Sequence, residues 1–174
     1  MTSSLQYENK ITEESLEKWV LELVPKELGP DKDLAAGKPL LGVYLVEQET
    51  LEKSNERYGL KYPQGAVHTG DLCDMGLLAE MAGFFKPRLN KRYIIRINKE
   101  LPEHSTIFTL LHEVGHLVGL LKDSEKHKKD REKFADDYAL TKALTISDTN
   151  MRTKVVVYGV GHPTLNTGNE KNDG

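Results

Sequence analysis

Apolar residues recur at three- and four-residue intervals over residues 11–24, which is the spacing of one face of an amphipathic helix. Thr12 is placed to cap this helix, and Pro25 is expected to end it. Residues 106–121 are apolar on nearly every side, which predicts a helix that is buried all round. Further helices are predicted at residues 47–58, 77–85 and 131–144.

Short runs of aliphatic, β-branched and aromatic residues predict the strands. They are expected at residues 40–46, 65–69 and 93–98, with a last strand or a docked extended segment at 154–160. Residues 28–39 and the charged stretch 122–131 are predicted to be solvated connections, and residues 162–174 a disordered tail. Together these elements predict one α+β domain over residues 1–161, with a small twisted sheet packed on the buried helix and on the helix that follows it.

Composition narrows the class of protein. The chain has 174 residues and a formal net charge of −3, so it offers no general attraction to nucleic acid. Its one cysteine, Cys73, can form no disulfide within the chain and is read as a packing residue, with a fourth metal ligand as the alternative. The first residues lack the features of a signal peptide, and no apolar run reaches the ~18 residues of a membrane span. We therefore expect a cytoplasmic protein with no membrane or direct nucleic-acid contact.

Candidate chemistry lies inside the buried helix. His112 and His116 are four residues apart, so both imidazoles stand on one helix face and can reach one metal ion. Glu113 projects beside them, within reach of a metal-bound water. This is the H-E-x-x-H arrangement of zinc-dependent hydrolysis, in which zinc activates the water and Glu is the general base. Two core or surface histidines with a solvated Glu are the alternative, but such groups in an apolar helix need partners, which a metal supplies.

A catalytic zinc needs a third protein ligand. The candidates after His116 are Lys122, Asp123, Glu125, His127, Glu132, Asp136 and Asp137. The metzincin pattern would place a His where Lys122 stands, and a protonated Lys has no lone pair to give. Glu132 is better placed, because it lies on the next predicted helix. The residues between His116 and Glu132 are enough for a loop that turns the chain back, antiparallel to the motif helix. Asp136, one turn further, could fix the ring of a ligand histidine or could be a solvated helix carboxylate.

Three segments together resemble the ImmA/IrrE family of metallopeptidases. They are Ile95-Arg96-Ile97-Asn98, then Phe108-Thr109-Leu110-Leu111-His112-Glu113-Val114-Gly115-His116, then Glu132-Lys133-Phe134-Ala135-Asp136-Asp137-Tyr138-Ala139. The resemblance implies a zincin-like, gluzincin-like fold and one zinc ion per chain, held by His112, His116 and Glu132, with Glu113 as base. It also implies a protein substrate, namely a transcriptional repressor of the helix-turn-helix type.

Several questions stay open at the level of sequence. The oxyanion donor could be His104, His127, Tyr138, Tyr93 or His162. A substrate strand is expected to add to the edge of the strand at residues 93–98, which runs directly into the motif helix. Two other functions compete with the peptidase. One is a non-catalytic, zinc-stabilised interaction module, which would not need Glu113; the other is a metal-free partner of a repressor.

Overall fold

The computed structural model of the protein describes residues 4–8, 10–28, 41–57, 69–74 and 93–161. Within these ranges the elements follow one another as α1 (Glu13–Leu28), β1 (Leu41–Val46), α2 (Gln48–Arg57), β2 (Gly70–Asp74), β3 (Tyr93–Asn98), α3 (Glu103–Leu121), α4 (Glu125–Lys129), α5 (Arg131–Ala143) and α6 (Thr149–Gly161). The molecule is a mixed α+β structure with a small sheet and mostly helices, as predicted. The predicted loop at 28–39, apart from Leu28, which ends α1, lies outside the described residues, as do the helix at 77–85 and the tail at 162–174.

In the described part of the chain, three strands form a sheet in the order β1-β3-β2. β1 runs parallel to β3, with Val43 opposite Ile95, and β2 runs antiparallel to β3, with Leu72 opposite Ile95. The strands predicted at 40–46 and 93–98 are confirmed. β2 was not predicted, and the strand expected at 65–69 lies outside the described residues except for Thr69, which precedes β2.

β3 is the central strand, so the predicted docking of a substrate strand on β3 is wrong. Both of its sides already carry backbone partners. The far side of β1 is also engaged, because the N–H of Leu45 donates to Oε2 of Glu13 at 2.8 Å. A carboxylate that satisfies an outward N–H in this way protects a sheet edge from pairing. Among the described strands, this leaves the far side of β2 as the edge without a backbone partner.

α1 begins as its sequence predicts and ends later. Thr12 and Ser15 exchange hydrogen bonds, because the N–H of Ser15 donates to Oγ1 of Thr12 at 3.1 Å and the N–H of Thr12 donates to Oγ of Ser15 at 3.0 Å. The expected end at Pro25 is wrong, since the helix runs to Leu28. The helix continues past Pro25 because a proline removes only one N–H donor. Burial of the apolar face before it, which includes Val20 and Val24, stabilises the helix.

α3 passes through the centre of the core. Its buried apolar side chains pack against α1, α5, α6 and the sheet. They are Ile107, Phe108, Leu110, Leu111, Val114, Leu117 and Val118. The helix begins three residues earlier than predicted, at Glu103. Although α3 is long and apolar, neither it nor any other described helix meets the length and hydropathy needed to cross a membrane.

The strand predicted at residues 154–160 is wrong, because this stretch belongs to helix α6. Asp148 caps the helix, accepting the N–H of Met151 at 2.8 Å. Met151, Val155 and Gly159 are buried at four-residue intervals and face the core. Tertiary packing of this face therefore outweighs the strand preference of the β-branched run at 155–157.

Candidate metal centre

α3 and α5 come close together because small residues line their contact. A Cβ added at Gly115 would lie 2.9 Å from the Cα of Ala135, which leaves no room for a side chain. Ala135, Ala139 and Ala143 are fully buried on the facing side of α5. The small side chains thus allow the two helices to pack closely. This close packing brings side chains of both helices within the short distances that a shared ion requires.

His112, His116 and Glu132 converge at this contact. Nε2 of His112 lies 2.7 Å from Oε2 of Glu132, and Nε2 of His116 lies 3.4 Å from Oε1. One ligand atom from each of the three residues falls within 4.8 Å of the others. In a tetrahedral zinc site with bonds of ~2.0–2.1 Å, neighbouring ligand atoms are ~3.3 Å apart. The donor set and its spacing therefore fit a divalent metal ion.

Each histidine also has a partner for its other ring nitrogen. Nδ1 of His112 lies 2.8 Å from Oδ1 of Asp136, whose side chain is buried. Nδ1 of His116 lies 3.0 Å from Nε2 of His127. Both rings are thereby oriented with Nε2 toward Glu132, which is the arrangement that a metal ligand needs. Of the two alternatives for Asp136, the solvated carboxylate is wrong, because the side chain is buried against His112.

The charges of the site depend on one another. Burial acts to lower the pKa of His112, but its hydrogen bonds with Asp136 and Glu132 outweigh burial and raise the pKa to about 10. Burial acts to raise the pKa of Glu132, but hydrogen bonds with His112 and His116 hold the pKa of this carboxyl well below its usual range. The Glu132 carboxylate is therefore ionised and is paired with the protonated His112 ring in the metal-free protein, so a metal ion that binds here must displace the His112 proton.

Glu113 lies on the same helix and is buried, with 8% of its surface exposed. Burial raises the pKa of this carboxyl; the charges of His116 and His112 act against the rise, while those of Glu132 and Asp71 add to it. A carboxylate with a raised pKa is a better proton acceptor near neutral pH. The site thus combines three side chains that could hold a metal ion, the metal-binding group, with an adjacent buried carboxylate.

The other candidates from the sequence lie elsewhere or have other contacts. Lys122 is the C-cap residue of α3, and its side chain is exposed, which does not suit a metal ligand. The His104 ring packs on Tyr158 at a centroid distance of 5.6 Å, and Tyr93 is part of the core. Tyr138 packs beside Gly115, where an added Cβ would lie 3.1 Å from its own Cβ. His162 and the side chain of Cys73 lie outside the described parts of the structure.

Sequence reasoning named His127 as a possible third ligand or oxyanion donor and missed its contact with His116. The residue stands in a run of charged side chains that predicts a solvated connection, yet it is buried with 3% exposure. Burial, with the charges of His116 and Arg131, lowers the pKa of His127 to about 4. A signal was present in the sequence, because Ser124 can cap a short helix on which His127 is the third residue. The N–H of His127 does donate to Oγ of Ser124, at 3.3 Å.

Comparison with known proteins finds a family match for part of the chain. The family model Peptidase_M78, described as the IrrE N-terminal-like domain, matches residues 77–156. This span contains β3, α3, α4, α5 and most of α6, and therefore all three residues of the metal-binding group. Neither the curated proteins nor the solved structures contain a match to the chain. Residues 77–156 thus match a peptidase family of the IrrE N-terminal-like type, which confirms the resemblance to the ImmA/IrrE family.

Proposed function

We propose that the protein is a zinc-dependent endopeptidase with a zincin-like catalytic domain. The observation that carries the proposal is the convergence of His112, His116 and Glu132 within 4.8 Å. Buried Glu113 stands beside them. A structural zinc site normally has four protein ligands, whereas a catalytic site has three and an open position. Within the described ranges the group has three members and a carboxylate beside it, which favours hydrolysis over a purely structural ion.

In this proposal each residue has one task. His112, His116 and Glu132 hold one zinc ion, and Asp136 fixes the ring of His112 through Nδ1. When bound, the ion would polarise the scissile carbonyl and lower the pKa of a water toward ~7. Glu113 takes the proton of the attacking water and passes it to the nitrogen of the leaving amine.

The proposed substrate is a single protein, a helix-turn-helix transcriptional repressor. The support is the match of residues 77–156 to the ImmA/IrrE family model, combined with a net charge of −3 that suits contact with a protein more than with DNA. A repressor of this kind acts in the cytoplasm, so the proposal places the peptidase there, without membrane or direct nucleic-acid contact. Specificity would come from docking one partner and cutting an accessible linker.

The test uses zinc-loaded protein and the repressor encoded nearest to its gene. We expect one discrete cut, which a chelator abolishes and added zinc restores. Many unrelated cuts in casein, with the repressor left whole, would contradict the proposed specificity. No cleavage of either protein by a zinc-loaded, folded sample would contradict the peptidase itself.

We further propose that the substrate backbone adds to the far side of β2. The N–H of Asn98 donates to Thr69 O at 2.8 Å, and the antiparallel register then directs the backbone of Gly70 and Leu72 away from β3. β2 also lies beside the base, because a Cβ at Gly70 would lie 2.7 Å from Cγ2 of Thr109. Thr109 is one helical turn before Glu113, so both lie on the same side of α3.

Backbone methylation of the substrate tests this docking mode. A peptide that spans the cleaved bond would carry N-methyl groups at one backbone nitrogen at a time. Strand pairing uses the N–H of every second residue. We therefore expect KM to rise when the methyl group is on one of these nitrogens and to stay unchanged when it is on a nitrogen between them. Equal sensitivity at neighbouring positions would contradict pairing with β2.

A further inference from the structure

The two histidines of the metal-binding group have different partners for Nδ1. His112 is held by the Asp136 carboxylate, which is the usual kind of partner for a ligand histidine. His116 is held by a second imidazole, with 3.0 Å between its Nδ1 and Nε2 of His127. The two rings meet edge to face, with centroids 5.3 Å apart and an interplanar angle of 73°.

The His127 ring occupies a fitted space. A Cβ added at Gly119 would lie 2.4 Å from Cγ of His127, so the ring fills the volume that a side chain at position 119 would need. The edge of the ring meets Phe134 at a centroid distance of 5.3 Å. Ser124 caps the five-residue helix α4, on which His127 is the one buried residue. Gly119 of α3, Phe134 of α5 and the cap residue Ser124 therefore fix the ring in one place.

Ring chemistry assigns the direction of the contact. A histidine that gives the lone pair of Nε2 to a metal carries its proton on Nδ1 and must donate it. The acceptor for His116 is Nε2 of His127, which requires the proton of His127 to be on its own Nδ1. Among the described residues, the group able to share one ion consists of His112, His116 and Glu132, without His127. The contact of His127 is thus with the ligand and not with the ion.

We propose that His127 is a positioning residue that holds His116 in the tautomer and ring orientation required for metal binding. The inference rests on the proposed metal site and adds to it a residue that the H-E-x-x-H pattern does not contain. It also gives Gly119 a role. Gly119 makes room for the His127 ring, while Gly115 makes room for α5.

The first test is made on the wild-type protein loaded with zinc. Two-bond ¹H–¹⁵N NMR spectra report which ring nitrogen carries the proton. We expect a proton on Nδ1 of both His116 and His127, and an unprotonated Nε2 on His127. A proton on Nε2 of His127 would overturn the proposal, because that nitrogen could not accept.

The second test measures metal affinity by competition with a chromophoric chelator. His127→Phe keeps a ring in the same space and removes the acceptor, so we expect zinc binding to weaken ~10–100-fold, the usual cost of losing such a partner. His127→Gln retains an acceptor oxygen and should recover most of the affinity. His104→Phe is the matched control, since the His104 ring packs on Tyr158, and it should leave the affinity unchanged.

A double-mutant cycle separates this role from simple packing. Gly119→Ala should displace the His127 ring and weaken zinc binding in the wild-type background. In a His127→Ala background the same change should cost nothing further, because the space is already free. Equal zinc affinity of wild type and His127→Phe would overturn the inference and leave the metal site standing. Failure of the wild type to bind zinc would overturn both.

Discussion

Glu113→Gln is expected to abolish most peptide hydrolysis and to leave the fold and the metal in place. Gln has nearly the same shape as Glu but cannot accept a proton, and general-base catalysis is typically worth ~10²–10⁴-fold. The neutral amide should also be accepted in this buried position, where burial already disfavours the charged carboxylate. The measurement is kcat for a cleaved peptide, together with zinc content and thermal unfolding of the same samples.

The matched control is Glu103→Gln, at the start of the same helix. Glu103 is exposed and accepts a hydrogen bond from the Tyr7 hydroxyl at 2.9 Å, away from the metal-binding group. Its variant should cleave like the wild type. Activity of Glu113→Gln within a few-fold of the parent would exclude Glu113 as the base. Full metal content with no hydrolysis by the wild type would favour the non-catalytic zinc module.

Glu132→Ala is expected to remove metal binding. The Glu132 carboxylate is the group on which both Nε2 atoms converge, and its loss takes away one of three ligands and the charge that offsets the ion. The loss in affinity should exceed the ~10–100-fold that removal of an outer partner such as Asp136 costs. Elemental analysis of the purified variants and chelator competition measure both effects.

Asp137→Ala is the matched control on the same helix. Its carboxylate pairs at 2.8 Å with the exposed side chain of Lys133, and exposed pairs of this kind contribute ~0–1 kcal/mol. This variant should keep one metal ion per chain. Retention of metal by Glu132→Ala, with loss in Asp136→Ala or Asp123→Ala, would show that another carboxylate is the third ligand.

The parts of the site that follow from local spacing were predictable from sequence. The i, i+4 relation between His112 and His116 depends only on helix geometry. The apolar residues on either side of the motif predict that the helix is buried, as it is. Glu132 and Asp136 also follow, because they share one face of the next helix and small residues permit close approach. The roles of these residues remain predictions.

Longer-range contacts explain what the sequence did not reveal. β2 has a polar, glycine-containing sequence, and it becomes a strand through pairing with β3. Because β2 pairs with β3, β3 lies between two strands. The prediction that β3 offers a free edge to the substrate was therefore wrong. In α6, burial of every fourth residue against α3 overrides a β-branched run. His127 is buried within charged neighbours because Gly119, on another helix, leaves room for its ring.

The central claim is that His112, His116 and Glu132 hold one zinc ion. Anomalous X-ray diffraction from crystals of the zinc-loaded protein, measured on both sides of the zinc absorption edge, tests it most directly. The account predicts one strong peak per chain between Nε2 of His112, Nε2 of His116 and the Glu132 carboxylate, and no such peak for Glu132→Ala. A zinc peak elsewhere, or none in protein whose three side chains are ordered, would contradict the claim.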